Sequence, residues 1–188
     1  MSALDFLEAD TVRAARLLLG WRLVHETPDG VTAGVIVETE AYTQDDPASH
    51  SFQRRTQRVE PMYGAAGTAY VYRIHQQVCL NVVTRPAGIG EAVLIRALEP
   101  VDGLDLMRAR RGIENARLLC AGPGRLCGAM AVTLQDNFRP LGEGPLRLEP
   151  GAAIPDADTV QTTRVGIRRA ADVRWRFYVA SSPYVSKR

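Results

Sequence analysis

The sequence predicts an α+β fold: a single domain, residues 1–188, with a mixed, mostly antiparallel curved sheet, flanking helices and a protruding β-hairpin. A length of 188 residues and a hydrophobic share of 46% suffice for one well-filled core and are too small for two independent ones. Strand and helix patterns follow one another without regular βαβ alternation, which favours an antiparallel or mixed sheet. Two strand patterns separated by only three residues predict the hairpin.

The first half of the chain holds most of the predicted sheet. Asp10 is a favourable helix N-cap and Gly20 a typical stop, with apolar residues at helical spacing between them, so we expect a helix over residues 10–20. Residues 43–67 are polar and rich in turn formers, which indicates a long functional loop. The predicted strands of this half span residues 21–26, 32–42, 67–74, 78–84 and 91–100, and the hairpin tip carries His75, Gln76 and Gln77.

The second half of the chain mixes short helices and strands. The stretch "GPGRLCGAMAV" enters a helix through a glycine-rich turn. Predicted helices span residues 102–112 and 122–132, and predicted strands span residues 144–150, 162–169 and 175–180.

Composition argues against several classes of protein. The cysteines, Cys79, Cys120 and Cys127, are odd in number and form neither a CxxC pair nor a Cys/His cluster, so we expect buried thiols without a disulfide framework, zinc or an iron–sulfur cluster. No apolar run approaches about 18 residues, and the amino end lacks the pattern of a signal peptide. The expected location is the cytoplasm, with no membrane partner.

The charge of the chain is unevenly distributed. Residues 1–50 hold nine acidic side chains against three arginines, so the rest of the chain carries the excess of positive charge. From residue 161 onward the only acid is Asp172 and the only lysine of the chain is Lys187, whereas the arginines are Arg164, Arg168, Arg169, Arg174, Arg176 and Arg188. This basic region either follows a phosphate backbone or forms a solvated charged rim.

Residues 38–42 place unusual groups on a strand. Because strand side chains alternate, Glu38, Glu40 and Tyr42 share one face, and the two carboxylates lie about 7 Å apart along the strand. One of them is a candidate proton acceptor. The alternative is a face exposed to water. Other residues on the predicted strands have structural interpretations that stay open. Arg96 could form only an ion pair with Glu38, and one of Tyr70 and Tyr72 could belong to the core rather than to a site.

Ten short blocks give the chain a family resemblance from about residue 11 to residue 186. In order, they are "LLGWRLV", "VETEAY", "DDPASH", "GTAYVY", "CLNVV", "VLIRALEP", "GPGRLC", "RVGI", "RFYV" and "SPYVS". The order and spacing resemble those of the alkyladenine (3-methyladenine) DNA glycosylase family. The resemblance implies a hydrolase of base excision repair that flips damaged purines out of double-stranded DNA without metal or organic cofactor. We further expect a monofunctional enzyme that acts as a monomer at the bacterial nucleoid.

The resemblance also implies roles for individual residues. Glu40 matches the general base of the family, and Arg96 and the carbonyl of Val165 match groups that hold the nucleophilic water. The expected products are an abasic site and a free purine, with 3-methyladenine, 7-methylguanine, hypoxanthine and ethenoadenine as candidate bases.

The same resemblance predicts the base-binding side chains. Tyr42 matches the aromatic residue on one face of the flipped purine, His50 and Tyr72 match the groups on its other face, and Asn81 matches the asparagine that disfavours guanine. Aromatic rings on both sides of a base suit a flipped nucleotide, and electron-rich rings attract the positive charge of an alkylated purine.

The hairpin departs from the family pattern. "RIHQQVCLN" is shorter than usual and lacks the tyrosine that fills the gap left by the flipped nucleotide, so His75 or Gln76 is expected to intercalate instead. "TQRVEPMY" lacks the asparagine usual after the arginine, which bears on DNA contacts around Arg58.

Two other functions compete with this one. A non-catalytic nucleic-acid-binding module of the same fold would use the same stacking aromatics. A sugar hydrolase would use Glu38 and Glu40 as its carboxylate pair, although their position on one strand does not place them on opposite sides of a bond. A Schiff-base strand-cleaving activity would need an amine beside the sugar, and Lys187 is the only lysine.

Overall fold

The computed structural model describes residues 3–188 and confirms the α+β class. In this part of the chain, eight strands form one sheet, and every pairing between them is antiparallel. The strands are β1 Arg22–Thr27, β2 Gly30–Tyr42, β3 Ala69–Ile74, β4 Gln77–Val83, β5 Ala92–Asp102, β6 Leu146–Glu149, β7 Thr159–Thr162 and β8 Arg176–Val179.

Strand β2 is the centre of the sheet. The order along the main path is β3-β4-β5-β2-β1-β6, and β8 pairs with both β2 and β7. The first half of β2 pairs with β1, whereas Glu38–Glu40 pairs with β8 at the same edge. Register shifts on the β5 side, between Ile36 and Thr39, interrupt regular pairing at Glu38. Such bulges bend a strand and often lie next to functional sites.

Short helices cover the sheet and share one core with it. The side chain of Asp10 accepts a hydrogen bond from the Arg13 N–H, as predicted, although the first helix ends earlier than Gly20. The α-helices are α1 Thr11–Leu17, α2 Leu104–Arg111, α3 Ala116–Leu119 and α4 Pro123–Met130, and the 3₁₀ helices are Asp5–Glu8, Gln57–Tyr63, Leu134–Asp136 and Asp156–Asp158. Helix α3 and the 3₁₀ helix within the predicted loop over residues 43–67 were not predicted.

The β3–β4 hairpin ends in a two-residue turn. Ile74 pairs with Gln77, so His75 and Gln76 form the turn, and Gln77 already belongs to β4. His75 has a φ of 52°, the left-handed conformation that a tight hairpin turn requires. Residues 73–77 are exposed. The tip therefore presents its side chains to solvent.

The predicted strand over residues 162–169 is wrong. Strand β7 begins earlier than predicted, at Thr159, and ends at Thr162. Beyond it the side chain of Arg164 is buried, the N–H of Val165 binds a side-chain carboxylate, and Gly166 has a φ of 75°. Since these backbone groups bind side chains or turn sharply, they cannot continue a strand ladder.

Two predictions about composition can be compared with the structure. Cys79, Cys120 and Cys127 are buried and free, as expected. Within residues 3–188, no helix has the length and apolar character needed to cross a membrane.

Candidate active site

A pocket of about 230 Å³ opens beside the end of β2. This volume lies below the roughly 300–1,000 Å³ typical of drug-sized ligands, so it suits one small ring system. Its walls come from β2, β5, the hairpin, the loop after β2 and residues 165–167. All seven residues predicted for chemistry and base binding line it, namely Glu40, Tyr42, His50, Tyr72, Asn81, Arg96 and Val165, whereas His75 and Gln76 do not.

The two carboxylates on β2 are buried. Glu38 and Glu40 both have 0% of their surface exposed, so the alternative of a water-facing strand face is wrong. Buried carboxylates need hydrogen bonds and opposite charge, because desolvation of an unpaired charge is very costly. The partners of each carboxylate therefore indicate its role.

Glu40 is held by the pocket wall. Its Oε1 accepts a hydrogen bond from the Val165 N–H at 2.7 Å, and its Oε2 accepts one from the Tyr42 hydroxyl at 2.7 Å. Arg96 Nη1 lies 3.4 Å from Oε1. Burial and the neighbouring Glu40 carboxylate raise the pKa of Tyr42 far above its ordinary value, so the phenol stays neutral and donates. Since a carboxylate has about four lone-pair sites, Glu40 can still accept a proton from a water in the pocket.

Glu38 binds Arg96 and does not face the pocket. Its Oε1 accepts from Arg96 Nε at 3.0 Å and from Arg176 Nη1 at 2.8 Å, and its Oε2 accepts from the Ser186 N–H at 2.7 Å. Glu38 does not line the pocket, whereas Arg96 does. Arg96 thus pairs with Glu38 and also reaches Glu40, so its pairing with Glu38 does not keep it out of the pocket.

Three aromatic rings form the wall of the pocket that includes the hairpin. The His50 and Tyr72 ring centroids lie 4.6 Å apart at 76°, and His50 Nδ1 lies 3.0 Å from the Tyr70 hydroxyl. Tyr70 is 1% exposed and belongs to a second core cluster, so it is the core member of the tyrosine pair. Partial burial, and then the charge of Arg58, lower the pKa of His50, which favours a neutral imidazole.

Asn81 lies between the aromatic wall and the core. Its Nδ2 donates to the Tyr70 carbonyl at 3.0 Å, and the residue is 4% exposed. This hydrogen bond fixes the plane of the side-chain amide where it meets the pocket.

Comparison with known proteins assigns the chain to a family. The sequence model of methylpurine-DNA glycosylase matches residues 5–183. The chain belongs to the methylpurine-DNA glycosylase family. Relatives from Methanoculleus marisnigri and Nitrosospira multiformis are 52% and 47% identical to it, over 97% and 98% of this chain and 97% and 93% of their own. An Agrobacterium fabrum relative is 46% identical over 98% of this chain and 91% of its own.

These relatives carry the words 3-methyladenine DNA glycosylase in their names. The family confirms the enzyme class expected from the ten sequence blocks, a DNA N-glycosylase. It confirms the resemblance as well, and the roles of individual residues stay predictions.

Sequence reasoning missed an ion pair in this glycosylase. Arg164 donates to both carboxylate oxygens of Asp46 and to the Ala41 carbonyl, and both side chains of the pair have 0% exposure. Its guanidinium carbon lies 4.7 Å from the Tyr42 ring centroid and 5.3 Å from that of Trp175. The sequence offered one indication that both residues lie near the site. Arg164 directly precedes Val165, and Asp46 lies within the block "DDPASH" that contains His50.

Two of the six arginines after residue 161 are buried, so only part of this basic region can meet phosphates or solvent. Arg164 and Arg176 bind Asp46 and Glu38 inside the glycosylase and cannot reach phosphates. Arg176 and Ser186, which hold Glu38, were likewise not predicted. The basic residues after 161 that are exposed are Arg168, Arg169, Arg174, Lys187 and Arg188.

Residues 3–188 of the glycosylase contain no group of three or more His, Cys, Asp and Glu side chains arranged to hold a metal ion.

Proposed function

We propose that this glycosylase flips alkylated or deaminated purines out of double-stranded DNA and hydrolyses their N-glycosidic bonds with water activated by Glu40. The observation that supports this most strongly is the buried Glu40 carboxylate, which lines a pocket of base size with Tyr42, His50 and Tyr72 around it. The proposed substrates are 3-methyladenine, 7-methylguanine, hypoxanthine and ethenoadenine, and the products are the free base and an abasic site.

Glu40 is the proposed general base. A water near Glu40, Arg96 and the Val165 carbonyl would lie where the carboxylate can take its proton as the water attacks the sugar. The sugar becomes positively charged as the bond to the base breaks, and the same carboxylate stabilises this oxocarbenium-like state. Arg96 is tied to Glu38 through Nε, and this contact holds its Nη1 beside Glu40.

The aromatic walls are the proposed base-binding site. A base inside a duplex is out of reach, so the enzyme must extrude it and hold it between ring faces. Tyr42, His50 and Tyr72 all line the pocket, and the His50 and Tyr72 rings are at 76° to each other. In the proposed complex Tyr42 contacts one face of the base, and His50 and Tyr72 contact the other. Asn81 is the proposed filter against guanine.

The hairpin tip is the proposed wedge. His75 and Gln76 are exposed at a turn, and Ile74 just before them lines the pocket mouth. A side chain inserted from this tip would fill the gap beside the extruded nucleotide, as inserted wedges do in other DNA complexes.

Salt should weaken binding to duplex DNA through the exposed arginines beside the pocket. Arg168 and Arg169 follow the pocket-lining residues 165–167, so they are the expected phosphate contacts. Replacing both with Gln should reduce the slope of log affinity against log salt by about 1.8, measured between about 50 and 200 mM salt. The control is Arg147→Gln on β6, at the far edge of the sheet. An unchanged slope in the double variant would remove these arginines from the proposed DNA footprint.

The proposed reaction leaves the DNA strand intact. A Schiff-base lyase needs a neutral amine held beside the sugar carbon. Lys187 is exposed and does not line the pocket, and arginine cannot supply a free amine. The product strand should therefore break only after hot alkali. A borohydride-trapped protein–DNA adduct that disappears in Lys187→Ala would contradict hydrolysis.

One experiment separates this function from its two competitors. The protein is incubated with duplexes that carry hypoxanthine or ethenoadenine and with methylated DNA, and the free base is measured. Release of base supports the proposed function. Tight binding without release favours the non-catalytic module, and turnover of sugar substrates with no effect on DNA favours a sugar hydrolase.

A further inference from the structure

The rings of the pocket do not have equal electrostatic surroundings. His50 and Tyr72 contact each other and Tyr70. The charge of Arg58 acts on His50, but among the described residues no guanidinium lies over any of these three rings. Tyr42 instead has the guanidinium of Arg164 over its ring, 4.7 Å from the centroid. Tyr42 lines the pocket and Arg164 does not, so the cation lies on the side of the ring away from the pocket.

Within residues 3–188, the hydrogen-bond partners of the Arg164 guanidinium, including the Asp46 carboxylate, all lie at its two Nη atoms. Its Nη atoms donate to Asp46, to the Ala41 carbonyl and to the Ala170 carbonyl. Its buried Nε has no hydrogen-bond partner within the part of the chain that the structure describes. The carboxylate of Asp46 therefore binds the Nη side of the guanidinium, and the guanidinium carbon lies over the Tyr42 and Trp175 rings.

A cation on one face of an aromatic ring weakens the attraction of the other face for a second cation. The ring quadrupole attracts positive charge to both faces, and a cation already in place draws electron density toward itself. A neutral base on the pocket face loses little by this. A positively charged base, such as 7-methylguanine in DNA, loses part of its stacking energy.

We infer that Arg164, although it does not touch the substrate, is a specificity-determining residue that reduces the preference of the glycosylase for positively charged purines over neutral ones. Asp46 tunes this effect by offsetting part of the guanidinium charge. The inference rests on the proposed function, because it needs a purine stacked on Tyr42.

The test compares single-turnover release of 7-methylguanine with that of hypoxanthine from otherwise identical duplexes, at enzyme concentrations well below the Kd. Under this condition each rate is measured from free enzyme and free DNA and therefore includes capture of the base. The ratio of the two rates is the readout, since the leaving-group chemistry of each base is the same in every variant. The double variant Asp46→Asn with Arg164→Gln removes the cation and its partner together and leaves no unpaired buried charge. It should raise the ratio by about two- to tenfold.

Asp46→Asn alone should move the ratio in the opposite direction. The amide keeps the size of Asp46 and can still accept from the Ala48 N–H, but it no longer offsets the guanidinium. The uncompensated cation should lower the ratio by about two- to threefold. Arg164→Lys, which keeps the charge, should leave the ratio near the wild-type value, and thermal melts check that each variant is folded.

Opposite shifts in the two variants support the inference. A merely structural role of the Arg164–Asp46 pair would slow release of both bases equally, and an unmoved ratio would overturn the inference. If only Asp46→Asn folds, the direction of its shift decides. Release of neither base by the wild-type protein would overturn the proposed function as well, so the two failures are distinguishable.

Discussion

Glu40→Gln is expected to slow single-turnover base release by about a thousandfold, because general base catalysis contributes roughly 10²–10⁴ and an amide cannot take a proton from water. Lesion binding should change little. The amide keeps the shape of the side chain. Its oxygen can still accept from the Val165 N–H, and its NH2 group can donate to the Tyr42 hydroxyl oxygen, which then accepts instead of donating. The measurement is base release at saturating enzyme, together with the affinity for a hypoxanthine duplex.

The matched control for this variant lies two residues away. Glu38→Gln changes the same group on the same strand face, but Glu38 contacts arginines and a backbone amide rather than the pocket. Its loss of activity should be smaller than that of Glu40→Gln. Release by Glu40→Gln within tenfold of wild type, or equal losses in both variants, would contradict the general-base role of Glu40.

Glu38→Gln should have its main effect on stability rather than on base release. Glu38→Gln leaves the buried Arg96 and Arg176 without their shared anion, and breaking a buried ion pair costs about 3–5 kcal/mol. The free energy of unfolding should fall by about 3 kcal/mol, and the melting temperature by about 6–12 °C for a chain of this size. Calorimetric or spectroscopic melts measure this.

A surface ion pair provides the control for that prediction. Glu26 pairs with Arg147 at 2.7 Å, and the Glu26 side chain is 51% exposed. Glu26→Gln should change stability by less than about 1 kcal/mol. If Glu38→Gln lowered the free energy of unfolding as little as Glu26→Gln does, the ion pairs of Glu38 with Arg96 and Arg176 would not stabilise the fold.

Most of the fold was predictable because local patterns and tertiary packing agree. Alternation in residues 32–42 indicated β2, and the spacing around His75 indicated the hairpin. The turn itself is one residue shorter than the predicted tip, because the pairing of Ile74 with Gln77 extends β4. Helix α3 was missed because its four residues are too few to show a period.

The segment after β7 shows where local patterns fail. Residues 162–169 have the residue types of a strand, but their conformation is determined by distant partners. Arg164 is drawn into the interior by Asp46, and the Val165 N–H binds Glu40, both more than 100 positions away in the sequence. Propensity and alternation carry no information about such contacts.

A family resemblance predicted the residues that line the candidate site. It did not predict the residues that hold those side chains in place. Every predicted chemical and base-binding side chain lines one pocket. Arg96 is held by hydrogen bonds to Glu38 and Ser186, and Arg176 binds Glu38 in turn. Tyr42 is held against Arg164. These supports were missed because pairing between buried charges depends on the three-dimensional arrangement of the strands.

The most direct test of base flipping into this pocket is a crystal structure of the Glu40→Gln variant bound to a duplex that contains 1,N6-ethenoadenine. The proposed mechanism requires that the ethenoadenine ring lies outside the helix, stacked on Tyr42, with His50 and Tyr72 on its other side and with His75 or Gln76 in the gap it leaves. An ethenoadenine that remains stacked in the duplex, or one bound away from this pocket, would contradict it.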